Sequence, residues 1–323
     1  MSPTATSEPS LRESPPKSGM ATADAAALAF CNLIWGATYV VARGVLDATP
    51  PLVLAFVRSL IAGVGLYLLD RRERQGRRAE GVIDEPLSRA DLRTLVVMGV
   101  VGFGLSKVLF YLGLQRSVAQ DAALIINLEA VFTAVGAAWL LGQRLTGVQW
   151  TGAVVACLGG YLLVTPQGAG PQALGHSLGN LLMVAAVVCE ALATVLGARL
   201  LRRFSGLGVT ARGTYWGTAA LLGPALWEWH GHAWNLGWAT WPNVAGILYL
   251  ALAATVLAYS LWYHTLQRVR AGQAALFLYL QPLIGVLLAA VLLHSLPSSR
   301  SLMGGGLVLT GLLLSSREAP VSA

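Results

Sequence analysis

Tyr111-Leu112-Gly113-Leu114-Gln115-Arg116 returns 152 residues later as Tyr263-His264-Thr265-Leu266-Gln267-Arg268. At the same offset Ala119, Ala122, Ala123, Leu124 and Leu128 meet Ala271, Ala274, Ala275, Leu276 and Leu280. Further on, Ala137, Ala138, Leu140 and Leu141 meet Ala289, Ala290, Leu292 and Leu293, while Gly152 and Gly159 meet Gly304 and Gly311. Apolar coincidences are cheap in so apolar a chain. The Tyr…Leu/Gln/Arg match in an ungapped register is not, and it divides the chain into two copies.

The medium that each copy occupies follows from composition. Hydrophobic residues make up 55% of the 323 and charged residues 11%, against about 25% charged in soluble domains. Runs of Leu, Ala, Val and Gly long enough to cross a bilayer, which takes roughly 20 residues, alternate with short polar segments. They lack the period-2 pattern of a membrane barrel. The sequence therefore predicts an all-α membrane protein. Its ten transmembrane helices are expected near 25–43, 52–70, 94–114, 121–141, 148–164, 178–200, 211–228, 245–267, 273–293 and 301–316.

The repeat offset spans five of these segments. Five is odd, so the second copy enters the membrane in the opposite sense, giving two inverted five-helix repeats. The expected organisation is a disordered cytoplasmic tail over 1–22, repeats over 23–165 and 177–316, and a short cytoplasmic tail over 317–323. Lys and Arg set the orientation. Of 22, only Arg43, Arg116 and Arg300 fall on the outer side once the N-terminus is placed inside. Two more, Arg58 and Lys107, lie within spans. The net charge of +7 thus reports membrane orientation, and no nucleic-acid partner is expected. Trp227, Trp229, Trp234, Trp238 and Trp241 suit an interfacial belt on the outer side. Cys31, Cys157 and Cys189 stand in apolar runs at unrelated spacings, as small hydrophobes.

Inverted repeats are a recurrent design of secondary transporters, with the solute site near the midplane where the copies meet. Several pieces resemble the EamA-type ten-helix members of the drug/metabolite transporter superfamily. They are Trp35-Gly36, Pro51…Arg58, Ala122-Ala123-Leu124, Tyr259-Ser260-Leu261-Trp262-Tyr263 and Ala274-Ala275-Leu276…Gln281-Pro282. The proline such members carry in span 4 is Ala130 here. The glutamates of their Gly-Glu-Arg turns are Gln143 and Ser295. The resemblance implies a central cavity that opens to one side at a time, and solutes drawn from amino acids, other metabolites and drugs. A bacterial inner membrane follows as the expected location, and export as the expected direction.

Ionisable residues inside spans cost about 2.5–3.5 kcal/mol to insert and are functional suspects. Reckoned at 1.5 Å per residue, Lys107 and Glu129 lie roughly 10 and 12 Å from the outer face. They are expected to meet, with Arg58 competing for Glu129, as a charged gate, a solute contact or a structural ion pair. Glu190 lies about 18 Å deep by the same rise, with no basic residue expected at its level. Left unpaired, it would stay neutral and serve as a proton-coupling site, an amine-binding group or a hydrogen-bonded carboxyl. Trp35, Tyr39, Asn127, Tyr263 and Gln281 complete the candidate substrate-binding set, as aromatic and amide groups for an otherwise apolar cavity. Other candidates for its wall are Phe110, Tyr111, Tyr249 and Tyr279.

No phosphate-binding loop and no His-Glu-x-x-His is present, so neither a cofactor nor an enzymatic activity is expected. His230 and His232 make too weak a metal site. The expected partners are a small organic solute and the lipid bilayer, with the proton as candidate coupling ion and the oligomeric state undetermined. Two alternatives are a non-transporting membrane scaffold and an intramembrane enzyme built around His264 or His294.

Overall fold

The computed structural model describes residues 21–79, 86–142, 144–166, 168–201, 203–231, 239–266, 268–269, 274, 276–294 and 296–315. Apart from Ala21 and Thr22 the two expected tails lie outside these residues, as do Gln143, His232, Trp234, Trp238 and Ser295. Among the described residues every element is helical: α1 Thr22–Leu46, α2 Pro51–Ala79, α3 Arg89–Arg116, α4 Ala119–Leu141, α5 Gly147–Val164, α6 Pro171–Leu200, α7 Gly206–Gly231, α8 Trp241–Leu266, α9 Leu280–Leu292 and α10 Ser299–Ser315. Each expected span falls on one of them.

Seven of these helices, α1 to α6 and α8, are long and apolar enough to cross a membrane. The protein is thus a multi-pass membrane protein. α9 is apolar but has 13 residues, and α7, a continuous helix of 26 residues, carries Pro224 inside it. α2, with 29 residues, is about 43 Å long at 1.5 Å per residue and overshoots a core of about 30 Å. Its surplus is the Arg71–Arg78 turn, where Arg74 pairs with Asp70 and Arg77 with Glu73.

Local chemistry sets the helix ends. Ser88 and Thr146 open α3 and α5 through capping boxes completed by Asp91 and Gln149, each satisfying two otherwise orphaned backbone donors. Gly142 ends α4 in a left-handed conformation, φ 69°, which only glycine adopts without strain.

Two irregularities recur with the internal repeat. α3 is π-helical over Gly99–Leu105 and α8 over Tyr249–Leu257, so the two segments overlap once shifted by 152 residues. α4 breaks at Ile126 and Asn127, and α9 is entered through a 3-10 turn, Leu276–Tyr279, at the matching position. The first π stretch coincides with close backbone approach, since a Cβ on Gly99 would stand 2.6 Å from the Gly213 carbonyl oxygen.

Small residues bring the helices together, as membrane packing favours. α5 and α10 touch along a glycine seam. A Cβ on Gly152 would stand 2.5 Å from the Gly311 carbonyl oxygen, and one on Gly159 would stand 2.5 Å from that of Gly304. These contacts exchange the repeat-related partners: Gly152 corresponds to Gly304 and Gly159 to Gly311. The main core lies between α1, α2, α3, α4 and α6, around the fully buried Tyr111, Leu114, Ile125 and Leu128. Trp227 and Trp241, at the ends of α7 and α8, are 77% and 75% exposed, as suits interfacial anchors.

Candidate functional site

A cavity of about 180 Å³ lies between α2, α3, α4, α6, α7 and α8. It runs from Arg58, Lys107, Glu129 and Thr255 to Leu201 and Val209 at the α6–α7 connection. Four pairs of lining positions are 152 residues apart: Arg58 and Thr210, Ala62 and Thr214, Phe103 and Thr255, Lys107 and Tyr259. The two copies thus present the same positions to the same space with different chemistry.

Its charged groups are not paired as their depths suggest. Lys107 forms its ion pair with Glu190, and this overturns the expectation of an unpaired Glu190. The reason is directional. Helical side chains lean toward the N-terminus of their own helix, and α3 and α6 run antiparallel. The long Lys107 side chain leans one way along the bundle and Glu190 the other, so their tips meet although their backbones differ in depth. Glu129 is left with the Thr194 hydroxyl, which donates to it at 3.3 Å. Nor does Arg58 reach Glu129. It donates to the Tyr111 hydroxyl and, at 2.8 Å, to Thr255 Oγ1, with its guanidinium 5.9 Å from the Tyr111 ring centre.

Of the eight candidate residues, Glu190, Lys107, Glu129 and Tyr263 line this cavity. The other four do not. Trp35 stands behind Tyr259, with ring centres 5.4 Å apart, and its indole N–H donates to the Ala254 carbonyl at 2.9 Å. Tyr39 is buried in the core against Phe110. Asn127 turns back on its own helix and donates to the Ala123 carbonyl at 2.8 Å. Gln281 sits at the start of α9, its backbone carbonyl against Gly36. Trp35, Asn127 and Gln281 are held by backbone contacts that no side-chain inventory announces.

The two ends of the bundle are closed differently. At the end away from the α6–α7 connection, buried polar links tie the copies together. Glu228 accepts from the Leu52 and Val53 backbone N–H groups, and Asn243 donates to Thr49 at 2.6 Å. Asp121, 1% exposed, accepts from Asn180 and Ser301 at 2.9 Å each and meets His176 at 2.9 Å. At the opposite end the links lie nearer the surface: Arg268 holds Asp24 and is 47% exposed, and Arg203 holds Asp91 and is 41% exposed.

The model of the EamA-like transporter family matches this chain twice, over residues 24–165 and 177–317. The chain belongs to the EamA-like transporter family. Its relatives include an uncharacterized transporter of Archaeoglobus fulgidus, 26% identical over 90% of this chain and 96% of the relative. A probable terminal-alkyne amino-acid exporter of Streptantibioticus cattleyicolor is 28% identical over 90% and 93%. A crystal structure 20% identical to this chain has the same fold, with a TM-score of 0.58 over 91% of this chain and 96% of the other.

Within this EamA-like chain the wall residues that sequence reasoning passed over include six hydroxyls: Ser59, Thr194, Thr210, Thr214, Thr255 and Tyr259. One signal was available for two of them. Thr210 and Tyr259 stand at the repeat positions of the two buried cations, Arg58 and Lys107. Among the described residues no three His, Cys, Asp or Glu side chains cluster in a way that could hold a metal ion.

Proposed function

We propose that this protein is a secondary transporter that exports a small organic solute, an amino acid, another metabolite or a drug, across a bacterial inner membrane by alternating access. In this reading ten spans form two inverted halves, 23–165 and 177–316, between cytoplasmic tails. The state described above faces the cytoplasm. The observation that carries the reading is the cavity itself. Four ionisable side chains converge in it between the two copies, it reaches the α6–α7 connection, and buried links shut the other end. A scaffold has no use for four ionisable groups that are expensive to bury.

Two copies of similar packing supply the bistability that alternation requires. Outward opening then means breaking the Glu228 and Asp121 links and tightening the Arg268–Asp24 end. Lys107, Glu129, Glu190 and Tyr263 contact the solute, while Trp35, Tyr39, Asn127 and Gln281 support the surrounding wall. The amino-acid exporter among the relatives supports both export and an amino-acid solute.

The test is uptake of labelled amino acids and cationic drugs into proteoliposomes holding the purified protein, with and without an imposed pH gradient. Saturable flux of one class is expected. Flux that ignores the gradient would remove proton coupling. With Glu190 paired, Glu129 becomes the residue whose neutralisation should abolish any gradient dependence.

A further inference from the structure

The four charges of the cavity do not form two pairs. Lys107 sits on Glu190, so the wall made by α3, α4 and α6 holds two carboxylates against one ammonium. Glu129 is the acid in excess, its partner among the described residues the Thr194 hydroxyl at 3.3 Å. On the α2 wall Arg58 is the cation in excess. Its hydrogen bonds go to Tyr111 and Thr255, both neutral, and no carboxylate among the described residues forms an ion pair with it. Arg58, Glu129 and Tyr259 line the same cavity, so both excess charges face one enclosed space.

The cavity is therefore neutral in sum and dipolar in arrangement. An unpartnered charge away from bulk water is costly, and a charged ligand group that completes it recovers that cost. A simple anion would satisfy Arg58 and leave a bare carboxylate facing it. A simple amine would satisfy Glu129 and leave the guanidinium. Each leaves one charge uncompensated, which is discrimination by penalty as much as by attraction. The rest of the wall mixes small residues, Ala62, Ala193 and Gly197, with the hydroxyls of Ser59, Thr210 and Thr214.

We infer that the cavity selects a zwitterion with a compact uncharged side chain, a neutral α-amino acid, held by its carboxylate on the Arg58 guanidinium and by its ammonium on Glu129. This rests on the transporter reading, whose solute it names. It assigns Arg58 and Glu129 as the specificity-determining pair, with the Lys107–Glu190 ion pair a fixed part of the wall.

The experiment is thermal unfolding of the purified full-length protein in detergent, titrated with L-alanine, L-valine, L-leucine and L-phenylalanine. Two leucine fragments, 4-methylpentanoate and 3-methylbutylamine, are titrated in parallel. At least one amino acid should stabilise the protein saturably, and both fragments should bind about 100-fold more weakly than leucine. Arg58→Gln should weaken amino-acid binding by at least about tenfold and erase the preference for leucine over the amine. Glu129→Gln should erase the preference over the carboxylate. Arg58→Lys, which keeps the charge, should retain the preference and separates charge recognition from a folding defect.

The inference fails if none of the four amino acids stabilises the protein, if a fragment binds as tightly as leucine, or if the two Gln variants leave the fragment preferences unchanged. Counterflow in proteoliposomes separates it from the reading beneath it. Amino-acid binding without flux would sink transport and leave the binding assignment. Flux of an uncharged or singly charged solute, with no amino-acid binding, would sink the assignment and leave transport.

Discussion

Glu228, near the end of α7, receives the backbone N–H groups of both Leu52 and Val53, at 2.7 and 2.9 Å. Those groups belong to the first turn of α2, whose free donors and dipole attract negative charge. A carboxylate from the second copy thus caps a helix of the first, at the closed end of the bundle and 8% exposed. Glu228→Gln keeps the shape and removes the charge. It should cost about 2 kcal/mol and raise the accessibility of the closed end, read as faster maleimide labelling of a cysteine placed at Thr49. Unchanged stability and labelling would mean the link does not hold the copies together.

Lys107 and Glu190 form a part-buried ion pair between α3 and α6. Removing one member leaves the other without its counter-charge, a loss of about 3–5 kcal/mol. Lys107→Gln and Glu190→Gln should each destabilise the protein strongly. The double variant should recover a good part of the loss, since two amides can bond to each other. Additive losses in a double-mutant cycle would place the two side chains apart.

The α5–α10 seam leaves no room for a methyl group. At Gly311 a Cβ would stand 2.4 Å from the Ala156 backbone nitrogen, whereas nothing lies within 4 Å of one at Gly306 on the same helix. Gly311→Ala should therefore cost about 1–3 kcal/mol or more, because backbone cannot yield as a side-chain tip can. Gly306→Ala should stay within about 0.5 kcal/mol of the parent. Melting temperatures in one detergent decide between them, and equal values would contradict the seam.

Sidedness can be read with single cysteines in a background lacking Cys31, Cys157 and Cys189. Leu201 lines the cavity at the α6–α7 connection and is 46% exposed, while Arg43 stands near the opposite end of α1. In intact cells a membrane-impermeant maleimide should label Arg43→Cys and reach Leu201→Cys only after permeabilisation. The reverse pattern would invert the orientation.

Much of the architecture was legible before any fold was seen. A bilayer core demands long apolar segments, and seven of those read from the sequence lie on helices long and apolar enough to cross it. The 152-residue echo around Tyr111 and Tyr263 marked two copies in the sequence, and the family model matches the chain twice, over 24–165 and 177–317. Cost also singled out Lys107, Glu129 and Glu190, because a charge inside an apolar run stands out in one dimension.

What linear reading could not decide was which charges meet. Depth along a helix comes from counting residues, but rotation about the axis, the lean of each side chain and the choice of neighbouring helix come from packing. That is why Glu190 reads as isolated in the sequence and pairs with Lys107 in the fold. For the same reason Trp35 and Asn127 spend their polar atoms on backbone carbonyls, while Thr255 and Tyr259, inconspicuous among apolar neighbours, reach the cavity. Hydropathy is a property of segments, whereas a site is made by side chains from six helices brought to one place, and only tertiary packing sets that.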